Sequence, residues 1–137
     1  MELNNLFYPV YGQVLLTFFL LFRMGFLRVK AIRTGKVKFK DIALGQNAWP
    51  ENVTKTANCF HNQLETPILL YLAITFIGFT GKADTAYLVL ATIFFFFRLL
   101  HAFEEITRND VRRRFTAFLL GSITLLVIWL RFIVQML

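Results

Sequence analysis

The sequence predicts an all-α integral membrane protein, a four-helix bundle in which each helix is long enough to cross a bilayer. Three observations predict it. Of the 137 residues 57% are hydrophobic and 17 are phenylalanine, and the mean hydropathy is +0.58, whereas soluble domains are roughly 45–50% apolar. The apolar residues gather into four stretches of about 20 residues, the length at which a helix spans hydrocarbon with every backbone group satisfied internally. The formal charge of +7 is concentrated in two of the intervening segments. Four spans with short loops use the whole length, so residues 1–137 read as one domain.

The first stretch runs from about Leu6 to Leu27 and is interrupted by Arg23. It reads as a span rather than a cleavable leader, because no basic n-region precedes it and no small-residue cleavage site follows. The second runs from about Asn58 to Phe79. The third, from about Ala83 to Phe103, contains the run Phe94 to Phe97, and the fourth extends from about Phe115 to the C-terminus with Arg131 near its end. Pro67 lies inside the second stretch; lacking an N–H, it leaves the carbonyl of Gln63 without its helical partner and predicts a kink there.

Thirteen of the fifteen lysines and arginines lie between the first and second stretches or around the junction of the third and fourth; the others are Lys82 and Arg131. Basic residues concentrate on the cytoplasmic side. Both basic segments are therefore expected in the cytosol, with the GFTGKAD turn and both termini on the opposite face. The charge thus reads as topological, which removes nucleic acid as the expected partner. Trp49 in the first basic loop has the character of an interfacial anchor. Cys59 is the only cysteine, so it forms no intrachain disulfide and reads as a small apolar residue.

The chemistry lies in polar residues at the cytosolic ends. At about 100° per residue, Arg98, His101, Glu105, Arg108 and Arg112 fall within an arc of about 80° on the third helix and its extension. Asn58, His61, Asn62 and Glu65 share a face of the second. A charge at the centre of a span costs ~2.5–3.5 kcal/mol on insertion scales, so such groups turn inward and pair. Glu65 needs a cation, and Arg98 is the expected one. Two readings stand open: a structural ion pair with Asn62 and His101 as hydrogen-bonding neighbours, or a ligand site. The histidines fit a polar network better than a metal site, and Arg112, Arg113 and Arg114 fit a topology or headgroup signal.

The ordered set NCFHNQLETP and RLLHAFEEITRNDVRRRF, following a basic TGKVKFK segment, resembles the MAPEG family, membrane-associated proteins in eicosanoid and glutathione metabolism. The resemblance covers most of the chain. It implies a four-helix protomer assembled as a homotrimer, with glutathione bound between neighbouring subunits near the cytosolic face. By position, Asn62 and Glu65 match the family's amide and carboxylate that hold glutathione, Arg98 and His101 match its third-helix contacts, and Lys38 matches a basic residue at the end of the first helix. Arg114 matches the arginine that activates the thiol, and Arg112 is a further candidate for a glutathione carboxylate. Glu105 stands where mammalian members carry tyrosine, Phe115 where some carry serine, and Asn58 and His61 replace two arginines of the family pattern. The stretch HAFEEITRNDVRRRF resembles a bacterial branch.

The expected function is therefore a membrane-bound, glutathione-dependent transferase or peroxidase in a bacterial inner membrane. Its thiolate would attack a lipophilic electrophile or hydroperoxide arriving through the lipid. The alternative is a non-catalytic module holding an anionic lipid headgroup or small metabolite in the same pocket. A small transporter is a third reading, opposed by the confinement of the polar residues to one end.

Overall fold

The computed structural model describes residues 3–43 and 48–137. Among these there are helices and turns and no strands. A 3-10 turn, Leu3–Phe7, leads into α1 (Tyr8–Arg33), with Pro9 in its first turn, where a missing N–H costs nothing. A single turn, α2 (Phe39–Ile42), follows. Then come α3 (Glu51–Gln63), α4 (Thr66–Phe79), α5 (Thr85–Ile106) and α6 (Val111–Met136). Three segments are long and apolar enough to cross a membrane as single helices: Asn4–Arg33, Thr85–Ile106 and Val111–Met136.

The second apolar stretch differs from its expectation. The kink predicted at Pro67 is a complete break, with α3 ending at Gln63 and α4 beginning at Thr66. Leu64 closes α3 by donating its N–H to the His61 carbonyl at 2.9 Å, and Glu65 turns away with φ −97° and ψ −98°. A proline ring cannot continue the hydrogen-bond ladder and crowds the preceding turn. Here it serves instead as a first-turn residue of the next helix.

The third and fourth stretches also meet differently. The predicted stripe running from Arg98 to Arg112 assumed that α5 continued, but α5 ends at Ile106. Asn109 adopts φ +56°, the left-handed conformation that asparagine tolerates better than most residues. Asp110 then caps a new helix, accepting from the N–H groups of Arg112 at 2.9 Å and Arg113 at 3.3 Å. Arg112 thus opens α6 rather than extending α5. At the other end Asp84 caps α5, accepting from the Tyr87 N–H at 3.1 Å.

α5 and α6 form an antiparallel hairpin, and α1 packs on α3 and α5. α1 and α5 approach closely where a Cβ at Gly12 would stand 2.8 Å from Phe95 Cζ. The interior is layered along the bundle. One end holds Leu6, Ile77, Tyr87, Phe94, Ile128 and Phe132; the middle holds Leu20, Cys59 and Ala102; and Ala31, Val37 and Val53 close the basic end. Large apolar side chains also cover the outside, among them Leu15, Phe22, Phe26, Phe103, Leu130 and Val134. Water would penalise so continuous a surface, whereas lipid tails solvate it. At the basic end Arg28 lies over the Trp49 ring, 5.2 Å from its centroid.

Candidate functional site

Breaking α3 at Gln63 strips the last carbonyls of that helix of their helical partners. One of these, the Asn62 carbonyl, accepts from Arg98 Nη2 at 2.6 Å. A cation at a helix C-terminus also meets the negative end of the helix dipole. The proline that interrupts the span therefore creates the acceptor that a buried guanidinium on α5 requires. Arg98 is only 1% exposed, and its Nε and Nη1 have no hydrogen-bond partner among the described residues.

The carboxylate at the centre of the cluster is Glu105, not Glu65. Glu105 is 2% exposed and accepts from Asn62 Nδ2 through both oxygens, at 2.9 and 3.2 Å. Arg114 Nη1 donates to Glu105 Oε1 at 3.2 Å and to Asn109 Oδ1 at 2.7 Å. His101, also buried, places Nδ1 3.7 Å from Glu105 Oε2, a proximity too long for a hydrogen bond. A carboxylate is acceptor-only when ionised and offers about four lone-pair positions. Glu105 uses them to tie α3, α5 and the start of α6 into one polar hub.

The expected Glu65–Arg98 ion pair is not formed: among the described residues Glu65 has no cationic partner within 4 Å, and its side chain is exposed. The helical wheel carried Glu65 onto the Asn62 face by assuming an unbroken helix, and the break at Leu64 swings it outward. Asn58 and His61 are exposed as well, so this polar face points away from the bundle. Of the predicted site residues, Asn62, Arg98, His101 and Arg114 converge. Lys38 is exposed at the entry to α2, and Arg112 is exposed with its side chain on the outer side of the α5–α6 hairpin.

Two features escaped the sequence reading. Asn109, which holds Arg114, was hidden in a turn whose only signal was the Asn-Asp pair before α6. A second polar contact lies deeper, where Gln13 on α1 donates from Nε2 to Gln63 Oε1 at 2.8 Å, and Gln63 Nε2 donates to the Cys59 carbonyl at 3.1 Å. Gln13 is 0% and Gln63 1% exposed. A glutamine in the middle of an otherwise apolar span is a signal for such an interhelical bond.

These features define an all-helical membrane protein with a charged hub buried where three of its helices meet. A sequence model of the MAPEG family matches residues 6–134, nearly the whole chain, and the chain belongs to that family. It is an integral membrane protein, and its family suggests a glutathione-related function. No curated protein and no solved structure matched in the same comparisons.

Proposed function

We propose that this chain is a glutathione-dependent transferase or peroxidase that binds glutathione at the basic end and uses Arg114 to hold its thiol as the thiolate. The carrying observation is the placement of Arg114. Of its five N–H donors, only those on Nη1 are engaged among the described residues, by Glu105 and Asn109, and its side chain is 29% exposed. The guanidinium is thereby fixed in orientation while Nε and Nη2 remain for a ligand. A cysteine thiol ionises near pH 8.5 when unperturbed, and an adjacent fixed cation favours the thiolate, the reactive nucleophile. Attack on an apolar electrophile forms a carbon–sulfur bond as a leaving group departs with its electron pair, or as an activated double bond opens and takes up a proton. With a lipid hydroperoxide, sulfur attacks the terminal oxygen, the O–O bond breaks and the alkoxide takes up a proton to leave as the alcohol; the sulfenic acid so formed condenses with a second glutathione to the disulfide and water.

The outward polar face supports a site shared between subunits. Asn58 and His61 on α3 and Glu65 at the break before α4 are exposed, and polar groups at the depth of a bilayer are costly unless a neighbour covers them. A homotrimer of four-span, single-domain protomers would cover them. In that arrangement Glu65 meets the glutathione ammonium, while Asn62, Arg98 and His101 shape the inner wall. Lys38 and Arg112 supply charge for the two glutathione carboxylates. The basic end lies in the cytosol of a bacterial inner membrane, both termini on the other side, and the lipophilic acceptor arrives through the bilayer. One observation favours a module without turnover: Glu105 lies 3.2 Å from Arg114 Nη1 and weakens the pull of that arginine on a thiolate.

Calorimetry of glutathione against detergent-solubilised protein tests the proposal. Wild type binds, and Glu65→Gln and Asn62→Ala each weaken binding about 10- to 100-fold, the equivalent of a charge-assisted hydrogen bond of ~1.5–3 kcal/mol. A thiolate ultraviolet band at neutral pH is lost in Arg114→Ala. If wild type takes up no glutathione, the enzyme reading fails; binding without the band leaves the module.

A further inference from the structure

A second cleft lies on the outer side of the α5–α6 hairpin, remote in character from the polar hub. Its volume is about 410 Å³, within the range of small-molecule sites, roughly 300–1,000 Å³. Phe97, Leu100 and Leu120 form apolar walls, and Glu104, Arg112 and Arg113 stand at the basic end of the same cleft. The cleft is thus amphiphilic along its length, with hydrocarbon-compatible walls running up to charge at the membrane boundary.

Glu104 makes the chemistry specific. Arg113 Nη1 stands 3.6 Å from Glu104 Oε1, an ion pair at long range. Glu104 Oε2 is buried and has no hydrogen-bond partner among the described residues. Glu104 lines the cleft with its side chain 16% exposed, so its unpaired oxygen is the acceptor to which a donor bound in the cleft would turn. Two arginines beside it are built to take a phosphate, through guanidinium N–H groups that match its oxygens. A purely anionic headgroup would satisfy the arginines but bring negative charge against Glu104. A headgroup joining a phosphate to a primary ammonium satisfies both, because an ammonium carries three N–H donors. The apolar walls then accept an acyl chain.

We propose that this cleft binds a phospholipid of the ethanolamine type, its phosphate held by Arg112 and Arg113, its ammonium by Glu104, and an acyl chain along Phe97, Leu100 and Leu120. The site shares Arg112 with the glutathione reading, and its test turns on Glu104, which that reading does not use.

Native mass spectrometry of the delipidated protein, offered equal amounts of phosphatidylethanolamine, phosphatidylcholine and phosphatidylglycerol with matched chains, tests it. The expected result is at least tenfold preferential retention of phosphatidylethanolamine over phosphatidylcholine, whose trimethylated nitrogen has no N–H, and preference over phosphatidylglycerol, which has no nitrogen. Glu104→Gln should reduce the ethanolamine-over-choline preference at least fivefold. Thr116→Phe, which fills the cleft from an exposed position, should lower retention of all three. Equal retention of the ethanolamine and choline lipids by wild type overturns the proposal, as does stronger retention of phosphatidylglycerol. A preference that survives Glu104→Gln overturns the assigned ammonium contact. Circular dichroism and elution volume matching wild type establish that both variants are folded before retention is compared.

Discussion

Replacing Glu105 by glutamine should cost this protein about 2–3 kcal/mol of stability. The side chain is 2% exposed and receives Asn62 Nδ2 on both oxygens and Arg114 Nη1 on one. Glutamine keeps the shape and one acceptor oxygen but directs an NH₂ at one of these donors. A hydrogen bond to a charged group contributes ~1.5–3 kcal/mol and a neutral one ~0.5–1.5 kcal/mol. Downgrading the Asn62 contact therefore loses about 1 kcal/mol, and the donor facing a donor adds about another 1–2 kcal/mol. The Arg114 share is smaller, because that partner is 29% exposed and its contact is 3.2 Å. Glu105→Leu, which leaves Asn62 Nδ2 without its acceptor and takes the buried negative charge out of the hub, should cost about 3–5 kcal/mol. The assay is reversible unfolding in mixed detergent and dodecyl sulfate, followed by helicity. A double-mutant cycle with Asn62→Ala should show coupling of about 1 kcal/mol or more. A Glu105→Gln change below about 0.5 kcal/mol, or a leucine variant as stable as wild type, would refute the claim that this carboxylate organises the hub.

Two other perturbations read different parts of the fold. Gln13→Leu leaves Gln63 Oε1 without its donor and should cost about 1–2 kcal/mol, whereas the Gln13→Leu, Gln63→Leu double variant should cost less than the sum of the singles, measured in the same unfolding assay; strict additivity would count against the interhelical bond. Asp84, just outside α5, pairs with Arg131, whose guanidinium also lies over the Tyr87 ring at 4.2 Å. Hydrogen bonds from Arg131 hold the Asp84 carboxyl below its ordinary range. A carboxyl whose pKa is depressed on folding contributes stability above its unfolded pKa of about 3.9, and that contribution is lost as pH falls through the folded value. The stability gap between wild type and Asp84→Asn should therefore be constant above about pH 5 and shrink below about pH 4, as followed by thermal melts; a gap independent of pH would exclude the ion pair as its source. Exposure of Asp84 keeps the effect small.

The sequence by itself determined the helical class, the membrane as solvent and the gathering of basic and candidate site residues toward one end. Each of these follows from composition and from the order of apolar and basic residues, which do not depend on how helices rotate. The family was legible for the same reason, since its motifs are local. Asn62, Arg98 and His101 could be named as site candidates because their polarity contradicts an apolar context, and Arg114 because its place matches the family's motif. Which carboxylate they would share could not be read, because a helical wheel holds only while the helix does. The break at Pro67 turned Glu65 outward, the left-handed Asn109 ended one stripe and reset the next, and those two rotations gave Glu105 the place that periodicity had assigned to Glu65. Pairing between spans depends on helix phase and on backbone interruptions of a single residue, and only the packed tertiary structure fixes both.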